Sequence, residues 1–391
     1  MKYILEMSIN EMSNLSFDCE CGKKHTLNIH DICIKENAIE ELDRIISPFK
    51  DNKIFVFSDT NTFNAAGKET LNELDKNNYN YKNFIIETGE EILIPDEKVV
   101  GRLFMEMDND TKLIIAIGSG TINDIGKFLS IKTGIPYIII CTAPSMDGYA
   151  SDGAPLICNG MKISFNATLA YAIIGDINIM KNAPMKLIRA GYGDIIGKIT
   201  ALMDWELSKE INDEYYCETC IQLTKEAVQK TINSADKLKD RDENAIKYLI
   251  EALTLTGVAM GLVGVSRPAS GAEHMLSHYW EVDFIKNNRY PELHGIKVGI
   301  ATPIVSKMFY LLRDIIPNNI MENVYTPEDI ENMLKIMGNP VLPKDIGIDK
   351  NLFYESMLNC HKIRERYSVF KFALDRGKLE ECAKIITDEI Y

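Results

Sequence analysis

Histidine is scarce in this chain, six among 391 residues, and net positive charge is missing altogether. Lys and Arg number 43 against 57 Asp and Glu, a formal net charge of −14, which excludes nucleic acid and anionic membranes as main partners. An anionic small substrate stays open, provided a local positive site is set against the global field. A secretory leader is lacking too, because residues 1–12 mix acidic residues among the apolar ones. The longest notable uncharged run, 252–266, is Gly-rich and too short to span a bilayer. It reads as a buried helix, and no membrane insertion is expected. No internal repeat or low-complexity tract is evident. The nine cysteines are odd in number and scattered, which fits a reduced, cytoplasmic protein better than a disulfide framework. Cys19-Glu-Cys21-Gly-Lys-Lys-His25 has no second cysteine pair at finger spacing nearby, and Cys217-Glu-Thr-Cys220 falls in a helical-looking stretch. Both read as structural residues rather than ligands.

What is present begins with alternation. After an irregular lead-in over residues 1–35, with a small hairpin around Phe17, strands are expected at 53–57, 83–87, 113–117, 136–140 and 172–176, with helices between them. The run Leu113-Ile-Ile-Ala-Ile117 is continuous and apolar, the pattern of a strand buried on both faces. Strands alternating with helices imply a parallel α/β sheet. Beyond Pro184 the strand signal fades, and 187–209, 215–238, 243–265, 295–312, 327–337 and 352–359 carry helical periodicity. The expected division is therefore an α/β domain over 1–180 and an all-α domain over 181–391.

Three of the six histidines fall within 274–294. If the segment after Gly271 is helical, His274 and His278 share a face, and the polar connection 287–293 allows His294 to fold back towards them. Clustered neutral imidazoles point to a transition-metal site. Asp194, inside a Gly-punctuated helix start, is either a cap or the carboxylate that completes a set with two histidines. Gly118-Ser119-Gly120-Thr121-Ile122 follows the buried strand and opens a helix, presenting backbone N–H groups to a phosphate. Asn123 stands where a dinucleotide fingerprint has its third glycine. Asp59 ends an earlier strand, where an acid either holds an adenosine ribose or caps a helix. It precedes the glycine loop rather than following it, so this is not a standard Rossmann unit. Thr142-Ala-Pro-Ser145-Met-Asp147-Gly-Tyr-Ala-Ser151 leaves the carboxyl end of another strand, the side on which open α/β sheets bind ligands.

Together, Gly118-Ser-Gly-Thr-Ile-Asn-Asp, Thr142-Ala-Pro-Ser-Met-Asp-Gly, Gly191-Tyr-Gly-Asp194, Gly271-Ala-Glu-His274 and His294-Gly295 resemble the iron-containing alcohol dehydrogenase and dehydroquinate synthase superfamily. Within it the chain looks most like the bacterial glycerol-1-phosphate dehydrogenases. The resemblance implies a dehydroquinate synthase-like architecture, with a Rossmann-like nucleotide-binding α/β domain, an all-α domain and an active site in the cleft between them. It implies one divalent metal (zinc, nickel or iron) on Asp194, His274 and His294. Asp147 and His278 would serve catalysis and contact substrate, with Asp194 beside them. NAD(H) or NADP(H) would be held by Asp59, Gly118, Ser119, Gly120, Thr121, Ile122, Thr142, Ser145 and Ser151. The implied reaction interconverts dihydroxyacetone phosphate and sn-glycerol 1-phosphate by hydride transfer, in a homo-oligomer, a dimer. For the substrate phosphate, Lys162 and Arg267 are the candidates on charge and position. The alternatives are another polyol dehydrogenase, such as a glycerol dehydrogenase, or a nucleotide-binding scaffold that has lost catalysis. A cyclase would need more basic residues than are found.

Overall fold

The computed structural model describes residues 2–88, 93–322 and 324–391. Its N-terminal part is built on six parallel strands, β3 (Asp31–Lys35), β4 (Lys53–Asp59), β5 (Asn80–Ile86), β6 (Thr111–Gly118), β7 (Tyr137–Cys141) and β10 (Ala172–Asp176), in the order β3-β10-β7-β6-β4-β5. Two hairpins complete the strands: β1 (Ser16–Asp18) with β2 (Lys24–Thr26), and β8 (Gly153–Cys158) with β9 (Met161–Asn166). The central strands β6, β7 and β10 are buried almost throughout, because helices cover both faces and leave no solvent side for alternation. Chain order reverses between β4 and β6. From β4 the next strand lies outward at β5, and from β6 the succession runs the other way. Asp59 and Gly118 therefore end neighbouring strands at the topological switch point, where open sheets leave a crevice.

From Met185 the described chain is helical: Met185–Asn212, Glu218–Asn233, Glu243–Val263, Ala272–Lys286, His294–Leu311, Pro327–Ile336 and Lys350–Asn359 are its main helices. Glu243–Val263 has the length and apolarity of a membrane span, yet two-thirds of its most apolar window is buried inside the fold. Its residues Ile246, Leu249, Ile250 and Leu253 share one apolar cluster with sheet residues such as Phe55 and Ile139 and with Ile195 of the Met185–Asn212 helix. A second cluster gathers around Trp280, Phe309 and Phe353 in the C-terminal part.

Several elements depart from the expected pattern. Residues 31–35, expected to belong to an irregular lead-in, form the edge strand β3, whose Ile32-Cys33-Ile34 core is too short to stand out between charged neighbours. The strand expected at 83–87 begins at Asn80. The helix expected over 215–238 is broken at Ser234, which ends Glu218–Asn233 and precedes the short Ala235–Lys239. The β8–β9 hairpin and the terminal helices Val369–Asp375 and Leu379–Ile390 were not foreseen.

Candidate active site

The crevice at the strand ends is a cleft of ≈ 860 Å³, lined among others by Thr62, Thr142, Asn178, Leu187 and Leu293. Its size suits a cofactor-sized ligand. Asp59 closes β4 with a buried carboxylate, and its Oδ1 accepts from the Thr62 backbone N–H at 2.7 Å, so it caps the following helical turn. At the end of β6, Ser119 Oγ lies 2.8 Å from Ser145 Oγ and accepts from the Gly120 N–H, while the Thr142 N–H donates to the Gly118 carbonyl at 3.1 Å. Gly118, Ser119, Gly120, Thr142 and Ser145 thus form one turn at the N-terminus of Gly120–Thr133, with Thr121 opening that helix and Ile122 buried beneath it. Ser151 sits behind this turn, receiving the buried Lys127 ammonium at 3.2 Å.

One residue beyond the cleft-lining Leu293, at His294, three side chains converge. Asp194, His274 and His294 each offer a ligand atom within 4.8 Å of the other two, and Asp194 Oδ1 is 3.7 Å from His274 Nε2. Two helices must approach closely for this. A Cβ on Gly295 would lie 1.8 Å from the Ala190 carbonyl oxygen, and one on Gly191 would lie 1.9 Å from the Pro144 oxygen. No side chain fits at either position, and the Met185–Asn212 helix is thereby brought against both His294 and the 142–151 loop. Helix Ala272–Lys286 is placed by Asp204, whose carboxylate accepts from the Ala272 N–H at 2.6 Å and the Val369 N–H at 2.7 Å. Glu273 accepts from Thr200 Oγ1 at 2.8 Å and faces His274 Nδ1 at 2.7 Å. That contact leaves His274 Nε2 aimed at Asp194, the outer support that metal-binding imidazoles use.

Burial, ahead of the neighbouring charges, holds His274 and His294 well below the ordinary histidine range. Neutral imidazoles with free lone pairs beside a carboxylate are the donor set of a catalytic divalent-metal site with a position left open for substrate. The residues present therefore fit the metal.

Lys198, one helical turn after Asp194, is fully buried and bridges Asp194 Oδ1 at 2.6 Å and Asp147 Oδ2 at 2.7 Å. Burial pulls its pKa down, but the two carboxylates outweigh this and hold the ammonium charged. The Asp147 backbone N–H donates to Asp194 Oδ2 at 3.0 Å, and burial followed by the Asp194 charge raises the Asp147 carboxyl.

The His278 and His274 ring centroids are 6.4 Å apart, and His278 is 5.7 Å from the His294 ring. Its Nε2 faces the Arg364 guanidinium at 3.3 Å and its Nδ1 faces Glu281 at 3.7 Å. Burial, opposed in part by Glu281, brings its pKa down to about 4. Glu281 also pairs with Lys162 at 2.7 Å and Lys297 at 3.1 Å. Lys162 and Lys297 thus share the Glu281 carboxylate while Arg364 faces His278, and burial, opposed by Glu281, brings the Lys297 pKa down to about 8.

The structure thus gathers Asp147, Asp194, His274, His278, His294 and Lys162 in one place. It does not bring Arg267 there. That guanidinium is buried and engaged by Glu214 and the Tyr367 carbonyl, which corrects its assignment to the substrate phosphate. Sequence reasoning missed Lys198, Glu281, Lys297 and Arg364. The first three carried a usable signal, since each lies three or four residues along a helix from a candidate, Asp194, His278 or His294. Arg364 carried none, arriving from a remote connection.

Residues 33–184 match the iron-containing alcohol dehydrogenase family. The chain is 31% identical to the glycerol-1-phosphate dehydrogenase [NAD(P)+] of Geobacillus thermodenitrificans, over 96% of this chain and 100% of the relative. It is 33% identical to the protein of that name from Halalkalibacterium halodurans, over 92% and 96% of the two chains. Among solved structures, the iron-containing alcohol dehydrogenase of Thermococcus thioreducens superposes with a TM-score of 0.71 at 14% identity, covering 93% of this chain and 99% of the other, so the fold is shared. The chain belongs to the glycerol-1-phosphate dehydrogenase family.

Proposed function

We propose that the chain is a metal-dependent NAD(P)H oxidoreductase interconverting dihydroxyacetone phosphate and sn-glycerol 1-phosphate. The observation that carries this reading is the junction of two features. The Asp194, His274 and His294 set stands beside the cationic side chains Lys162, Lys297 and Arg364. A triose carrying a carbonyl at one end and a phosphate at the other spans that junction, whereas a free polyol brings no charge to meet those cations. The full coverage of relatives named glycerol-1-phosphate dehydrogenase supports the same choice over glycerol dehydrogenase.

Asp194, His274 and His294 would hold a divalent cation, which when bound would supply Lewis acidity, and a bound NAD(P)H would supply the hydride. The chain's own residues do the remaining work. Asp59 accepts the adenosine ribose, and the turn from Gly118 to Ile122, with Thr142, Ser145 and Ser151, holds the pyrophosphate end. Lys162, Lys297 and Arg364 pair with the substrate phosphate and fix the triose in register. Asp147 orients a substrate hydroxyl, its position set by Lys198. His278, between Arg364 and Glu281, would relay a proton from water towards the developing alkoxide, its neutral ring taking up one proton as it gives up another. Residues 1–180 hold the nucleotide and lend Asp147 and Lys162 to the substrate, while 181–391 hold the metal and the remaining substrate contacts. We place the enzyme in the cytoplasm, in keeping with its free cysteines, and expect a homodimer.

The test is oxidation of NADH or NADPH by purified protein with dihydroxyacetone phosphate, followed by determination of product stereochemistry. sn-Glycerol 1-phosphate is the expected product. Turnover with free glycerol or dihydroxyacetone but not the phosphate ester contradicts the reading.

A further inference from the structure

A second cluster lies outside the cleft, where the β1–β2 hairpin meets the helical part. Cys19, Cys21, His25 and Cys217 each offer a ligand atom, all within 4.8 Å of one another. Three come from a seven-residue knuckle, turned by Gly22 at φ +82°, a conformation that favours glycine. The fourth stands 192 positions further along the chain than His25.

The distances are those a tetrahedral ion imposes. Cys19 Sγ and Cys217 Sγ are 3.8 Å apart, and His25 Nε2 is 3.3 Å from both Cys21 Sγ and Cys217 Sγ. With metal–sulfur bonds of about 2.3 Å and metal–nitrogen bonds of about 2.1 Å, tetrahedral edges come to roughly 3.8 Å for S···S and ~3.6 Å for S···N. Hydrogen bonding alone does not account for this arrangement. His25 is buried and its Nδ1 lies 2.6 Å from the Leu262 carbonyl, so Nδ1 carries the proton and Nε2 keeps one lone pair. Two sulfurs compete for that lone pair and a third closes the group. The Nδ1–H to carbonyl bond is also the support that orients a metal-binding imidazole.

We propose that Cys19, Cys21, His25 and Cys217 form a structural metal site for a soft divalent ion, zinc above all, that staples the N-terminal hairpin to the helical part. Three thiolates and one imidazole fill all four tetrahedral positions, leaving none for substrate. The ion closes a chain loop of almost 200 residues and ties the hairpin to Cys217, the residue before Glu218–Asn233, and to the end of Glu243–Val263 at Leu262. It departs from the reading of the two cysteine groups as separate structural residues by joining them at one site. The proposal is independent of the dehydrogenase reading.

Metal content decides it, measured on protein purified under reducing conditions in the native chain and in His274→Ala, which removes an active-site ligand. We expect about one zinc per chain to persist in His274→Ala, to resist EDTA and to be released by an organomercurial. Cys21→Ser, at a half-buried position, and Cys217→Ser should each lose that ion. Both should melt several degrees lower than the native chain, because metal binding and folding are coupled. Cobalt substitution should give a sulfur-to-cobalt charge-transfer band that Cys21→Ser abolishes and His274→Ala leaves unchanged. Should Cys217→Ser fail to fold, the native stoichiometry and Cys21→Ser still decide. Absence of metal in His274→Ala, or retention of metal when Cys21→Ser is combined with His274→Ala, overturns the proposal. So does a Cys19–Cys217 disulfide found by mass spectrometry in the freshly purified chain.

Discussion

The two clusters differ in what surrounds them. Asp194, His274 and His294 are backed by the buried Lys198 and neighboured by His278 and the cations around it. Cys19, Cys21, His25 and Cys217 are surrounded by Tyr215, Thr219 and Leu262, with Cys19 and Cys21 half-buried. The first offers three protein donors, which leave a coordination position open; the second offers four, which fill a tetrahedral set. Donor number, rather than the presence of histidine, separates a site that does chemistry from one that holds a fold. A further contrast is electrostatic. The open site keeps charges inside the protein that a closed thiolate site does not need, and those charges make it the more breakable of the two.

His278 is where breaking the open site has the largest effect. His278→Ala should lower turnover by roughly 10²–10⁴-fold, the range of general acid–base catalysis, while metal content stays near that of the native chain. Elemental analysis beside the rate checks this, and a metal-free His278→Ala protein would reassign it as a ligand. Lys198→Met comes next. It leaves Asp147 and Asp194 facing one another without the ammonium, and in chelator-treated protein it should cost roughly 3–5 kcal/mol of stability, as breaking a buried ion pair does. Urea unfolding with and without added divalent metal measures it. The deficit should shrink when metal is present, because the ion neutralises Asp194 in place of the lysine.

Arg364→Ala sharpens the substrate side. It should raise KM for dihydroxyacetone phosphate by about 10–100-fold, the scale of one charged hydrogen bond. Activity towards unphosphorylated dihydroxyacetone, where measurable, should change little. An equal loss on both substrates would assign Arg364 to holding His278 rather than to binding phosphate. The smallest effect belongs to Asp59. Asp59→Ala should shift the ratio of specificity constants towards NADPH by roughly 10-fold, because a carboxylate there repels a 2′-phosphate. With its Oδ1 already engaged by the Thr62 N–H, an unchanged ratio would show that capping is its whole role.

Much of the open site was legible in the sequence because its parts lie close in sequence or at helical spacing. His274 and His278 are one turn apart, and His294 follows a short connection. Strands β6, β7 and β10 were legible for a similar reason, since burial on both faces writes itself as an unbroken apolar run. What stayed hidden depends on distance along the chain or on weak local signal. Arg364 reaches His278 from 86 residues away. Cys217 meets the Cys19–His25 knuckle only after the hairpin docks on the helices, so neither cysteine group looked complete. Arg267 misled for the converse reason. Adjacency to the histidine segment placed it near the site, while its side chain turns away to Glu214. Strand β3, three apolar residues between charged ones, acquires its identity from pairing with β10.

The most direct test of the account is His274→Ala, assayed for active-site metal, for NADH binding by fluorescence titration, and for NADH oxidation with dihydroxyacetone phosphate. Two remaining ligands are too few to hold a catalytic ion well. The account predicts loss of that metal and of turnover, with NADH affinity kept because Asp59 and the Gly118–Ile122 turn lie apart from the ligand set. A variant that keeps both its active-site metal and its full turnover would contradict the assignment and place the chemistry elsewhere.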